Sequence, residues 1–151
     1  MSNMSPQRPG LNRGLWKILE EQVRTWACEY GSIYVVTGPV LEKDAERYGA
    51  IGKNRVAVPE YFYKALLVFE PVYEQDGEPS EGGKRTAEPY AYRVKCAAFI
   101  LPNESCGKDI YKYICSVDEA EKRTGLDFFP DLPDEVEDFA ESRVTLFSAP
   151  R

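Results

Sequence analysis

Three polar residues near the start of the chain have the types and spacing that metal-assisted phosphate chemistry requires: Asn12, Glu20 and Arg24. Glu20 and Arg24 are four residues apart, so in a helix they share a face and can form an ion pair. Amide and carboxylate oxygens are ligands for a hard cation, and a guanidinium binds phosphate oxygens. A solvent-exposed salt bridge and an ordinary helix cap explain the same residues. Spacing alone therefore leaves both interpretations open.

The chain has no histidine among its 151 residues. By itself it therefore cannot run Ser-His-Asp or Cys-His catalysis, bind zinc through imidazole, or use histidine as a general base. The four cysteines contain no C-x-x-C pair, so the usual zinc-site spacings are missing. A disulfide between Cys106 and Cys115 across a hairpin is one prediction for the thiols, and buried free cysteines are the other.

Composition and charge indicate one ordinary globular domain, with 43% hydrophobic and 29% charged residues. Residues 1–64 carry nine Lys or Arg against seven Asp or Glu, whereas residues 65–151 carry ten against eighteen. This acidic balance disfavours a broad basic surface for nucleic acid but permits a local basic site in the first half. Lys53, Arg55 and Lys64 either contact phosphates or form a solvated charged edge. No apolar run approaches the roughly 20 residues of a membrane helix, and no signal pattern is visible. We expect no membrane association, and the compartment stays open.

The hydrophobic pattern predicts an α+β domain with one long helix and a small mixed or antiparallel sheet. The helix is predicted over about 11–30, with Asn12 at its cap and Gly31 at its end. Strands are predicted over 32–36, 61–69, 95–101 and 111–117. The first of them is predicted to be buried and to end in a turn at 37–39. A short helix is predicted from Ser116 to Thr124, stopped by Gly125, and a solvated acidic helix over 134–141. Residues 73–92 are predicted to be a surface insertion without chemistry.

Several sequence blocks, in order along nearly the whole chain, carry a resemblance to a known family. They are 2–7 (SNMSPQ), 11–16 (LNRGLW) with 19–20 (LE), 34–39 (YVVTGP), 58–59 (VP) with 62–64 (FYK), 98–103 (AFILPN), and 117–119 (VDE) with Glu121, Thr124, Gly125, Leu126, Phe128 and Phe129. Together they resemble the DNA/RNA non-specific endonucleases of the ββα-metal superfamily. The resemblance implies a ββα-metal nuclease-like fold. It also implies hydrolysis of phosphodiester bonds in DNA and RNA, dependent on Mg²⁺ or Mn²⁺.

The resemblance also implies a role for each candidate residue. The residue matching Asn12 is the family's one protein ligand to the metal, and the residue matching Glu20 holds metal-bound water. The residue matching Arg24 contacts phosphate. The residue matching Asn3 supports the active site. These roles agree with the chemistry of the side chains, because a cation and a guanidinium can both neutralise charge on a reacting phosphate.

The family's general base is missing from the chain. It is the histidine of an Asp-Arg-Gly-His motif upstream of the block that begins at Ser2. We therefore expect residues 1–151 to form a single partial endonuclease domain, incomplete at the N-terminus and close to inactive alone. Glu20 is the one nearby substitute base, and its matched role is to hold water. Loss of a general base costs about 10²–10⁴-fold in rate.

Two alternatives accompany this prediction. The chain is either a catalytically dead paralogue that binds nucleic acid or a protein partner, or one half of a pair whose histidine lies on a separate polypeptide. A homodimer is also possible. If the strands bearing the histidine belong to the sheet, their loss bares a sheet edge, so low solubility or oligomers are expected.

Overall fold

The computed structural model describes residues 5–41, 49–73, 89 and 91–145. Asn3 and most of the predicted insertion over 73–92 lie outside these residues. The helices are α1 (Pro9–Asn12), α2 (Leu15–Tyr30), α3 (Val117–Thr124) and α4 (Asp134–Glu141), and Ile110–Tyr113 form a 3₁₀ helix. The strands are β1 (Tyr34–Val40), β2 (Gly49–Ile51), β3 (Val56–Val58), β4 (Tyr61–Val72), β5 (Ala91–Pro102) and β6 (Ile114–Cys115).

A four-stranded sheet with the order β1-β4-β5-β6 forms the centre of the fold. Every neighbouring pair in it is antiparallel. The pairing of β4 with β5 is the longest, running from Tyr61 opposite Pro102 to Val72 opposite Ala91. Strands β2 and β3 form a separate antiparallel pair. The predicted α+β class, with an antiparallel sheet and one long helix, is confirmed.

The two faces of the sheet are covered by different helices, which gives three layers. Side chains alternate between faces along a strand. Phe62, Leu66 and Val68 belong to one cluster with residues of α2, and Trp26 of α2 stacks on Phe99 with ring centroids 6.2 Å apart. The intervening residues of β4 belong to a second cluster with residues of α3 and α4. The aromatic run at 61–63 is therefore mostly core, as predicted from its strand pattern.

The predicted long helix is interrupted near its start. Instead of beginning at about residue 11, α2 begins at Leu15, and α1 precedes it with Pro9 at its first position, where a proline costs no hydrogen bond. Gly14 joins the two helices, and a Cβ there would lie 2.4 Å from the carbonyl oxygen of Gly10. Asn12 therefore ends α1 and does not cap α2, which corrects the predicted cap. Gly31 ends α2 with φ 80°, as predicted.

The first strand differs from its prediction in length and burial. Residues 37–39, predicted as a turn, continue β1 to Val40. Because β1 pairs only with β4 within the described sheet, it is an edge strand, where Pro39 removes no needed hydrogen bond. Tyr34 and Val35 are exposed, so the prediction of a buried strand is wrong for this half of β1.

The predicted strand over 111–117 is mostly wrong. Alternating side chains suggested a strand, but the Asp109 carboxylate accepts a hydrogen bond from Tyr111 N at 3.1 Å and starts the 3₁₀ helix. Only Ile114 and Cys115 pair with β5. Cys106 and Cys115 are both free thiols, so the predicted disulfide is absent. Side-chain hydrogen bonding to the backbone overrode the alternating pattern here.

The signals for α3 are confirmed at both ends. Ser116 Oγ accepts a hydrogen bond from Glu119 N at 3.1 Å, as an N-cap should. Gly125 ends the helix in the left-handed region with φ 72°. The acidic helix α4 is only partly solvated, because Ala140 and Glu141 at its end are buried.

The exposed edge of β1 gives a testable expectation for self-association. An edge strand with exposed apolar residues is a template for pairing with a second chain. We expect the wild-type chain to form dimers or larger species in size-exclusion chromatography with light scattering, and Val35→Lys to shift it towards monomer. Lys53→Ala, in an exposed turn, is the control. A sharp monomer peak for the wild-type chain would contradict the expectation.

Candidate nuclease site

A cleft of about 530 Å³ lies beside the N-terminal half of α2, and it contains both of the predicted metal-site residues that the structure describes. Asn12 and Glu20 line it together with Trp16 and the middle of β1. The full lining consists of Ser5, Gln7, Asn12, Trp16, Glu20, Thr37 and Phe62. Two residues eight apart in sequence, on either side of the helix break at Gly14, thus line one cleft.

The amide of Asn12 has a fixed orientation in this cleft. Its side chain is exposed, and Nδ2 donates a hydrogen bond to Gln7 Oε1 at 2.8 Å. With Nδ2 used in this way, the Oδ1 atom has no hydrogen-bond donor among the described residues. An amide oxygen oriented by its own nitrogen is a suitable ligand for a hard cation.

The carboxylate of Glu20 is also oriented by a neighbour. Trp16 Nε1 donates a hydrogen bond to Glu20 Oε1 at 3.1 Å across one turn of α2. Trp16 is itself buried and packs edge-on against Phe62, with ring centroids 5.8 Å apart. One carboxylate oxygen of Glu20 therefore accepts a hydrogen bond from a buried indole, and the other oxygen is available to the cleft.

Lys64 lies underneath this pair and was not expected there. Sequence reasoning weighed a phosphate contact against a solvated edge, and the solvated edge is wrong, because Lys64 is 5% exposed. Its Nζ lies 4.5 Å from the centre of the Trp16 ring. Burial lowers the pKa of Lys64, and the nearby Glu20 carboxylate opposes that shift. The alternation Phe62, Lys64, Leu66 was the available signal, since it puts all three side chains on the face that α2 covers.

Arg24 is not part of the described cleft. It is exposed and lies one helical turn beyond Glu20, about 6 Å along the axis. The ion pair with Glu20 that the spacing allowed does not form between these described residues. Lys17 and Glu21 form the exposed pair on this helix instead, at 3.7 Å. Asn3 lies outside the described residues, so its predicted supporting role stays a prediction.

Asn103 is a supporting residue that sequence reasoning did not single out for a role. Its side chain is 4% exposed, and Nδ2 donates to Pro6 O at 3.1 Å and to Pro59 O at 2.8 Å. Its Oδ1 accepts from Arg8 N at 2.7 Å. One amide thus holds both sides of Gln7, the residue that orients Asn12. The sequence signal for such a role was an asparagine placed directly after a predicted core strand and a proline.

The donor set of the cleft fits a hard cation that keeps most of its water. Asn12 and Glu20 supply neutral and anionic oxygen, and the described lining contains neither sulfur nor imidazole. Mg²⁺ binds in this way, through one or two protein oxygens plus waters and substrate phosphate. The residues present therefore fit the group that the resemblance implies.

An amide on α1 and a carboxylate on α2, packed against an antiparallel sheet, together with a match to a solved structure, define the class of the chain, a ββα-metal nuclease fold. A sequence model of one protein family, described as DNA/RNA non-specific endonuclease, matches residues 1–135 and identifies the particular family. The chain belongs to this family.

Individual relatives support this family assignment. The chain is 29% identical over 141 residues to human "Endonuclease G, mitochondrial", an alignment that covers 87% of this chain and 41% of the relative. It is 31% identical over 140 residues to "Nuclease" from Serratia marcescens, covering 91% of this chain and 45% of the relative. The chain therefore spans less than half the length of these relatives.

A solved structure, titled as the EndoG/EndoGI complex and the mechanism of EndoG inhibition, superposes with a TM-score of 0.63. Its sequence is 30% identical, and the match covers 87% of this chain and half of that one, at 50%. In the described part of the chain, none of the helices has the length and apolar character needed to cross a bilayer.

Proposed function

We propose that this chain carries the metal- and phosphate-binding part of an endonuclease active site that hydrolyses DNA and RNA. The observation that carries the proposal is the shared cleft, in which Gln7 orients the Asn12 amide and Trp16 orients the Glu20 carboxylate. Membership of the endonuclease family and relatives named as nucleases support it. DNA and RNA backbones are then the substrates.

Each residue has a distinct task in this proposal. Asn12 Oδ1 would hold Mg²⁺ or Mn²⁺, which when bound neutralises phosphate charge and stabilises the leaving oxygen. Glu20 orients water at the cleft, and its bond to Trp16 keeps it from rotating away. Arg24, free of an ion pair with Glu20, binds non-bridging phosphate oxygens as the substrate spans the rim. Asn3 is assigned the supporting role that the family resemblance implies.

The proton-transfer step requires a group from outside these residues. No histidine occurs in the sequence, and the resemblance assigns the base to a histidine of an Asp-Arg-Gly-His motif. Glu20 is committed to water and to Trp16, which makes it a poor substitute. We therefore propose that the 151-residue chain alone binds nucleic acid but cuts it at or near background, and that a histidine-bearing polypeptide completes the site.

A second candidate function rests on the acidic second half of the chain. Residues 65–151 carry ten basic against eighteen acidic side chains, a balance that suits a protein partner better than DNA. In this reading the chain is a catalytically dead paralogue, and its cleft is a remnant. This second candidate includes a homodimer, in which the protein partner is another copy of the chain.

Nucleic-acid binding separates the two candidates. Fluorescence anisotropy of a labelled DNA duplex and an RNA hairpin, in Mg²⁺, is expected to show Arg24→Ala weakening binding by about fivefold, or ~1 kcal/mol. Asn12→Ala should remove the stimulation by Mg²⁺. Matched controls are Arg143→Ala and Asn54→Ala, both exposed and away from the described cleft lining. Binding that persists unchanged in the Asn12 and Arg24 variants would refute the proposal and favour the dead paralogue.

A further inference from the structure

A second group of acidic side chains lies on the opposite face of the sheet from the Asn12 and Glu20 cleft. Asp118 and Glu121 are on α3, and Glu141 is the last residue of α4. One carboxylate oxygen from each lies within 4.8 Å of the others. We call these three residues the acidic triad. The acidic triad therefore brings together side chains from two helices, α3 and α4.

The buried position of Glu141 distinguishes the acidic triad from an ordinary acidic surface. The residue is 1% exposed, and its Oε1 atom has no hydrogen-bond partner among the described residues. Buried polar atoms in folded proteins almost always have a partner, and an unpaired buried carboxylate is among the costliest exceptions. The described part of the chain therefore supplies no hydrogen-bond donor to this oxygen.

No described residue forms an ion pair with the Glu141 carboxylate. None of the ion pairs between described residues includes a member of the acidic triad. Burial, together with repulsion from neighbouring carboxylates, raises the pKa of Glu141 to about 8. These neighbours are Glu121, Glu137, Asp118 and Asp127. The guanidinium of Arg123, on α3, is instead placed over the Tyr61 ring at 4.0 Å.

Hydrogen bonds around the acidic triad hold its members in place. Glu121 Oε1 accepts from Phe128 N at 2.7 Å, which leaves the second oxygen of Glu121 for another partner. The thiol of Cys96 donates to Ala140 O at 3.0 Å, directly before Glu141. Thr145 accepts from Cys96 N at 2.7 Å through its hydroxyl. The end of α4 is thus tied to β5 on both sides of Glu141.

We propose that the acidic triad binds a hard divalent cation of the calcium type, which links α3 to α4. Ca²⁺ takes oxygen ligands at about 2.3–2.6 Å, so two ligands of one ion can be up to roughly 5 Å apart. Three carboxylates lie within that spread, and one of them has a buried oxygen without a hydrogen-bond partner among the described residues, which matches this chemistry. Burial raises the pKa of the adjacent Cys96 thiol to about 12, so Cys96 stays protonated and does not supply a thiolate ligand for a softer metal. The site is structural and separate from the nuclease cleft.

Thermal unfolding of the full 151-residue chain tests the proposal. Millimolar Ca²⁺ is expected to raise the Tm by roughly 3–8 °C over the value in EDTA, with a smaller rise in Mg²⁺. Glu141→Gln should abolish this rise, and in EDTA it should melt at or above the wild type because the amide stays neutral in the buried position at every pH. Glu135→Gln, an exposed glutamate on the same helix, should respond to Ca²⁺ like the wild type.

Equilibrium dialysis with Ca²⁺ gives the stoichiometry and separates this site from the cleft. The Asn12→Ala chain should bind one Ca²⁺, and Asn12→Ala combined with Asp118→Asn, an exposed position that folding tolerates, should bind none. Absence of binding by the Asn12→Ala chain would overturn the proposal, as would an equal Tm rise in Glu141→Gln. Neither result would bear on nucleic-acid binding by Asn12 and Arg24.

Discussion

Supplied with Mg²⁺ or Mn²⁺, the 151-residue chain is expected to leave supercoiled plasmid and RNA intact, at a rate at or near background. The physical reason is the missing base, since its loss typically costs 10²–10⁴-fold, roughly 3–5 kcal/mol in the barrier. The cleft with Asn12 and Glu20 retains binding and charge neutralisation, which do not move a proton. Gel analysis of plasmid nicking over hours, with a metal-free sample beside it, measures the rate.

A positive control sharpens this expectation. A nuclease of the same family, assayed at the same concentration, shows that the buffer and metal support cleavage. Added imidazole, a small diffusible base, is expected to raise the residual rate of the wild-type chain but not that of Asn12→Ala. Degradation of plasmid by the chain alone at the speed of the positive control would show that another residue acts as base, with Glu20 as the first candidate.

Asn103→Ala is expected to reduce the free energy of unfolding by about 3 kcal/mol. The substitution deletes hydrogen bonds to Pro6 O, Pro59 O and Arg8 N, and each unsatisfied buried group costs about 1–3 kcal/mol with partial recovery by water. Urea denaturation, followed by tryptophan fluorescence, gives the value. Asn54→Ala, in an exposed turn, should change stability by less than about 0.5 kcal/mol.

A second substitution tests the direction of the hydrogen bonds at this position. Asn103→Asp keeps an acceptor for Arg8 N but replaces the donor to Pro6 O and Pro59 O with a carboxylate. We expect it to be as destabilising as Asn103→Ala, because it places negative charge against two carbonyl oxygens. If both variants unfold at the wild-type urea concentration, the amide does not anchor the segment that carries Gln7.

The elements that obey one local rule were predicted well from the sequence. The apolar stripe of α2 and its end at Gly31, the N-cap at Ser116 and the left-handed Gly125 each depend on neighbours a few residues away. The long apolar runs over 61–69 and 95–101 were recognisable as core strands, although both strands extend further. The family resemblance identified Asn12 and Glu20, and the structure brings those two into one cleft.

Features that depend on distant partners could not be predicted in this way. The break at Gly14 depends on the carbonyl of Gly10, and the continuation of β1 through Pro39 depends on its position at the edge of the sheet. The sequence left Lys64 open between a phosphate contact and a solvated edge, because its burial requires Trp16 to lie over it. The burial of Glu141 arises from the packing of α4 on β5, whereas its sequence context is an acidic run that normally stays in solvent.

Reconstitution of activity tests the central claim most directly. The chain is mixed with Mg²⁺, plasmid and a separately purified polypeptide that carries the Asp-Arg-Gly-His segment of a family member, and nicking is followed in time. The account predicts that the mixture cuts at least 10²-fold faster than either part, that Asn12→Ala abolishes this gain, and that Asn54→Ala leaves it intact. Tight association of the two parts with no gain in nicking, or an equal gain with Asn12→Ala, would contradict the assignment of this chain as the metal-binding part of a nuclease site.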